Sequence, residues 1–203
     1  MLNLKTLETF FSQPNRKQIS STTTKNKFVK KSIIKTKPPE PSIMYETEND
    51  ITLQRRTELN ALMNQRLASA VDLQSQMKQA HWNVKGPSFI GLHELFDKVD
   101  EAVENYVDMI AERIVQLGGI AEGTVRVAAS RSRLAEYPLQ IAEGTAHVEA
   151  VARALSTFGA EARATIDEVN VLDDADTADL FTEISRGIDK WLWFVEAHSQ
   201  ATK

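Results

Sequence analysis

The chain reads as an all-α protein built on four long helices, and three observations carry that reading. Apolar residues recur at steps of three and four along four separate stretches, the period of a helix that buries one face. No stretch alternates apolar and polar residues for long, as a half-buried strand would. Glycine and proline punctuate the gaps, and only one gap between helical stretches is long, the connectivity of a helix bundle with a single crossover.

The chain opens with a basic tail, residues 1–50, ahead of a folded part spanning 51–203. Residues 1–40 hold nine cationic side chains against two acidic ones, a net +7; with −4 for the whole chain, the remainder carries −11. Residues 12–42 are rich in Ser, Thr, Lys, Asn, Gln and Pro and poor in apolar groups. Such a composition cannot offset the entropy of ordering, so the tail is expected to be disordered, with Pro38, Pro39 and Pro41 stiffening its junction with the body. Three uses fit it. Arg16, Lys17, Lys25, Lys27, Lys30, Lys31, Lys35 and Lys37 suit DNA phosphates, bound without reading sequence and less tightly as salt rises. A solvated tail that keeps an acidic particle soluble is the plain alternative. An organelle transit peptide is the third, although lysine outweighs arginine and no cleavage signal is evident.

The first helix is expected over about 52–84, where Leu59, Leu62, Met63, Leu67, Ala70, Val71 and Met77 line one face and Gly86-Pro87 stop it. Ser88 is placed to cap the second, which runs to Leu117, carries Phe89, Leu92, Phe96, Val99, Val103, Ile110 and Ile114, and ends at Gly118-Gly119. Residues 118–138 form the crossover, with a short helix expected at 132–138, and lead into a third helix from Pro138, about 139–169. Its apolar face holds Ile141, Val148, Val151, Leu155, Phe158, Ala162 and Ile166. The fourth, about 176–199, follows an aspartate-rich turn and buries Leu180, Ile184, Ile188, Trp191, Leu192 and Val195. A long crossover lets the second and third helices run parallel.

With 42% hydrophobic residues the chain can bury one core of ordinary domain size, and it has no apolar run near the length of a membrane span. It contains no cysteine, which removes disulfides, thiolate metal sites and cysteine nucleophiles together.

Chemistry concentrates between residues 81 and 112. His81, His93, Asp97, Asp108 and Glu112 offer imidazole and carboxylate, the donor mix that suits iron, zinc or manganese. His93 and Asp97 stand four apart, as do Asp108 and Glu112, so each pair shares a helix face. The pairs themselves are about 16 Å apart along one helix axis, whereas the ligands of one ion lie within about 2.0–2.2 Å of it. Either these are two unrelated features, solvated charge among them, or the late pair completes the site of a second copy packed antiparallel about a two-fold axis. The chain has no Glu-x-x-His motif, which weighs against a di-iron site inside one bundle.

The wording of this stretch resembles the Dps family of ferritin-like proteins. Lys78 and HWNVKGPSF (81–89), HELFD (93–97), DMIAERIVQLGG (108–119) and DKWLWFVE (189–196) carry the resemblance, which covers roughly residues 55–199. It implies a ferritin-like fold with a short helix in the crossover, and a hollow homo-oligomer of twelve subunits. In that cage His81, His93 and Asp97 of one subunit and Asp108 and Glu112 of its two-fold mate bind and oxidise iron, preferably with hydrogen peroxide. Trp82 beside the site packs the interface or intercepts radicals, and Lys78 makes a salt bridge between subunits. Glu94, Asp100, Glu101 and Glu104 are candidates for mineral nucleation. Asp173, Asp174, Asp176 and Asp179 place favourable charge at a helix start, and by resemblance line pores that admit iron. The family points to a bacterial cytoplasm and the nucleoid, with no membrane partner. The rival function is a DNA-compacting cage whose metal site is zinc-filled or weakly active, its many tails binding DNA together.

Overall fold

A computed structural model describes residues 43–200 of the chain. It contains five helices: α1 (Leu53–Asn83), α2 (Phe89–Gln116), α3 (Val125–Arg131), α4 (Gly144–Val171) and α5 (Ala175–Gln200). The four long ones are those the apolar spacing predicts. α1 packs against α2, and α4 against α5. The start of α4 lies beside the end of α1, where the Lys85 amide donates to the Ala142 carbonyl (2.9 Å). The start of α5 lies beside the end of α2, joined by Arg113 and Asp174. α2 and α4 therefore run parallel, and the 118–143 segment travels the length of the bundle between them. Among the described residues no helix is long and apolar enough to cross a membrane.

The core is made by the predicted faces. Leu59, Met63, Leu67 and Met77 of α1, Phe96, Ile110 and Ile114 of α2, Leu155 and Phe158 of α4, and Phe181 and Ile188 of α5 are all withdrawn from solvent. Phe89 is the exception, more than a third exposed at the first turn of α2.

Helix ends follow local chemistry. Thr52 caps α1 through its side chain, which accepts from the Arg55 amide. Gly118 (φ +79°) ends α2: its amide donates to Val115 and that of Gly119 to Ile114, a closure that needs a left-handed residue between. α4 closes in the same way through Asp173 (φ +52°), whose amide donates to Asn170 while that of Asp174 donates to Val169.

Two expectations about the crossover are corrected. The short helix is Val125–Arg131, not 132–138, and α4 starts at Gly144, not 139. Both differences come from backbone capture. Ser69 accepts from the Arg133 amide (3.3 Å) and Gln76 donates to the Ala135 carbonyl (3.0 Å), which holds 132–138 stretched along α1. The Lys85–Ala142 bond then keeps the chain extended up to Glu143. Further back, Asn64 binds both the Ile120 carbonyl and the Glu122 amide, Gln65 reaches the Arg131 carbonyl, and Arg56 the Leu117 carbonyl. A connection with little regular structure thus satisfies its backbone on a ladder of α1 side chains.

Ahead of α1, residues 43–51 form a strap without regular secondary structure, joined to the end of α2. The Tyr45 amide donates to the Gly118 carbonyl (2.7 Å), and the Asn60 amide group reaches the Met44 sulfur (3.4 Å). The tail cations from Arg16 to Lys37 lie outside the described residues.

Candidate metal centre

The last turn of α1 and the first two turns of α2 meet at a short turn, Val84–Ser88, in which Gly86 takes φ +111°. That turn sets His81 and His93 face to face, rings stacked with centroids 3.7 Å apart. Each imidazole binds the other residue's backbone: His81 Nδ1 lies 2.8 Å from the His93 carbonyl, and His93 Nδ1 lies 2.9 Å from the His81 carbonyl. A carbonyl can only accept, so each Nδ1 carries a proton, and in the neutral ring the lone pair then lies on Nε2. Holding one ring nitrogen to fix the tautomer of the other is the arrangement found around metal-binding histidines.

Asp97 completes the cluster one turn after His93. Its Oδ1 accepts from Lys78 Nζ at 2.6 Å and lies 3.7 Å from His81 Nδ1. The Lys78 bond, with the neighbouring imidazoles adding to it, holds the Asp97 carboxyl below the usual carboxylate range. Lys78 is pushed up in turn by Asp97 and then by Asp100, 3.0 Å away. Within the chain Lys78 pairs with Asp97 and Asp100. Asp100 is buried under that ammonium and does not face an open cavity, so it is removed from the nucleation candidates. Glu94, Glu101 and Glu104 are exposed on α2.

Asp108 and Glu112 project into solvent further along α2, on the side away from the core. Among the described residues no three histidine or carboxylate side chains of one chain converge as a metal site would require. The fold brings His81, His93 and Asp97 together and leaves Asp108 and Glu112 apart, further along α2. Trp82 stands next to the first set with 67% of its surface exposed.

The aspartates of the α4–α5 turn divide by environment. Asp174 is 3% exposed: its carboxylate accepts from the Thr177 amide (3.1 Å), from the Thr177 hydroxyl, and from Arg113 Nη2 (2.8 Å). It caps α5 and ties it to α2, which corrects its place among the pore candidates. Asp173 pairs with Arg55 (2.7 Å), whereas Asp176 and Asp179 are exposed. An aspartate directly ahead of the helix, placed to accept from the amide three residues on, was the sequence signal for this cap. His147 is buried and hydrogen-bonded to the Tyr137 hydroxyl (2.6 Å), and His198 is exposed; neither joins the cluster.

Comparison with known proteins bears on the family and the fold. A family model for the ferritin-like domain matches residues 60–203. The DNA protection during starvation protein of Agrobacterium fabrum is 41% identical over 156 residues, covering 77% of this chain and 96% of that one. DpsA14 from Streptomyces coelicolor superposes with a TM-score of 0.74 at 31% identity, over 78% of this chain and 94% of its own. The tetragonal form of Mycobacterium smegmatis Dps gives 0.72 at 30% identity, over 76% and 94%.

Proposed function

The chain belongs to the Dps family of ferritin-like proteins, and on that premise we propose that it oxidises ferrous iron at sites shared between two subunits and stores the ferric product inside a hollow oligomer. The observation that carries this reading is the reciprocal latch of His81 and His93, which engages both Nδ1 atoms and leaves the Nε2 atoms to a ligand, with the ionised Asp97 3.7 Å from His81 Nδ1. Lys78 occupies Oδ1 of that carboxylate, and Oδ2 remains for a ferrous ion. Asp108 and Glu112 of a two-fold mate supply the missing anionic oxygens. Hard carboxylate oxygen favours the ferric over the ferrous state, and a small number of protein ligands leaves positions open for the oxidant.

Hydrogen peroxide is the proposed oxidant. Each ferrous ion gives one electron, and peroxide takes two as its O–O bond breaks, so about two irons are consumed per peroxide. The oxygen atoms end as water or in the ferric mineral, and protons leave to solvent. Removing ferrous iron and peroxide together suppresses hydroxyl radicals, which suits a protein of oxidative stress. Exposed Asp176 and Asp179 are the remaining candidates to draw iron inward, with Glu94, Glu101 and Glu104 for nucleation.

The experiment is anaerobic loading of ferrous iron followed by peroxide, with ferric absorbance recorded against a protein-free control. His81→Ala with Asp97→Ala should assemble normally but oxidise iron slowly; an undiminished rate would remove the assignment. The cations from Arg16 to Lys37 we assign to sequence-independent DNA binding, on their charge alone.

A further inference from the structure

We propose that the strap ahead of α1 is part of the two-fold contact: Tyr45 and Val115 of one subunit receive Ile90 of a second copy and so seal one end of the shared iron site. This rests on the shared-site reading above and adds to it a segment outside the 60–203 ferritin-like match.

The register follows from the ligands. If His93 and Asp97 of one subunit meet Asp108 and Glu112 of an antiparallel mate, position 95 of one α2 lies opposite position 110 of the other. Each step forward along one helix is matched by a step back along its mate. Five residues past position 110, Val115 therefore lies opposite the partner's Ile90. Val115 is 58% exposed and Ile90 61% exposed, each on the same side of α2 as its own ligand pair. Exposed large apolar side chains that fall in facing positions at both ends of a two-fold pairing mark a contact.

The strap extends that contact. It is bonded through the Tyr45 amide to Gly118, one turn beyond Val115. Met44 turns inward to Asn60, while Ile43 and Tyr45 turn outward, both about 60% exposed. Tyr45, Val115, Gly119 and Ile120 line a hollow of ≈ 590 Å³ at the end of α2. In the same register Gly118 and Gly119 lie opposite the α1–α2 turn of the mate, at Pro87 and Gly86, so the hollow receives that turn and the Ile90 side chain behind it. Second copies are the occupants this face fits, because each end supplies what the other lacks.

The chain has no cysteine, so introduced pairs report cleanly. Full-length Val115→Cys/Ile90→Cys and Tyr45→Cys/Ile90→Cys are treated with a short bis-maleimide, which tolerates more than the ~4.4–6.8 Å Cα spacing of a disulfide. Denaturing gels should then show covalent dimer as the main species for both pairs. Each single variant should stay monomeric, because two copies of Ile90 in this register stand about 38 Å apart along the helix axis. Dimer from the Val115/Ile90 pair but not from the Tyr45/Ile90 pair would overturn the role of the strap while leaving the shared site intact. Failure of both pairs would overturn the register itself. Iron oxidation by the uncrosslinked variants, whose ligands are untouched, reports separately on the function.

Discussion

Replacing Asp174 tests whether the α4–α5 turn is a structural device or an iron path. In Asp174→Ala, α5 loses the acceptor for the Thr177 amide, and a lost cap typically costs about 1 kcal/mol. Arg113, with only 12% of its side chain exposed, loses its counterion, and breaking a buried pair costs about 3–5 kcal/mol. Arg113 keeps bonds to the Thr177 hydroxyl and to Gln116, so the lower end applies and the sum is about 4 kcal/mol. Asp174→Asn retains an oxygen for the cap and for Arg113 and should lose about 1–2 kcal/mol. Arg113→Ala combined with Asp174→Ala should cost less than the two single changes added, by about 2 kcal/mol. The assay is equilibrium unfolding in guanidinium chloride, followed by tryptophan fluorescence at one protein concentration, because assembly contributes to apparent stability. Equal losses for Ala and Asn, or strict additivity in the double variant, would refute the coupled cap and ion pair. Where Asp174→Asn remains folded, it should take up iron at the normal rate, whereas Asp176→Asn with Asp179→Asn should slow uptake.

Other consequences are as direct. Gly118→Ala meets the Tyr45 carbonyl at 2.5 Å and a φ of +79°, so it should destabilise by about 2 kcal/mol and release the strap, read as faster amide exchange at Tyr45. Burial pushes the His147 imidazole down, Lys85 adds to this, and backbone groups of Ile141 and Asn83 oppose it, while Tyr137 is bonded at Nδ1. The unfolded chain takes up that proton near about pH 6.5 and the folded one only at lower pH, so the stability is present above that value and lost as pH falls. His147→Gln should flatten the acid limb of the stability curve; an unchanged slope would show that another group sets it. Removing residues 1–42 should abolish plasmid retardation in a gel yet leave iron oxidation intact, and undiminished retardation would move the DNA contact to the body.

The long helices were legible because each buries a stripe whose period survives in the order of residues, as Leu59, Met63 and Leu67 do. The separation of the two pairs was legible for a related reason: His93–Asp97 and Asp108–Glu112 are four apart, and helix geometry alone keeps one pair from the other. What the order of residues hid was tertiary capture. Nothing near 132–138 announces that Ser69 and Gln76, some sixty positions earlier, hold that segment stretched, and so its helix-compatible composition misled. Asp174 was misplaced because acidic residues at a helix start look alike until one is seen to point inward to Arg113. The pairing of Lys78 with Asp97 and Asp100 was hidden because those partners lie on another helix.

The ladder of α1 side chains beneath the crossover makes that helix a ruler. Asn64, Gln65, Ser69 and Gln76 are fixed at helical intervals, and each reads a set position of the chain between Ile120 and Ala135. Adding or removing one residue within that span would put every later rung out of step, so the length of the crossover is dictated by a helix that precedes it by half the bundle. Variation in this lineage should therefore gather after the last rung, around Leu139 and Gln140, where the thread runs free of its gauge before α4 takes it up.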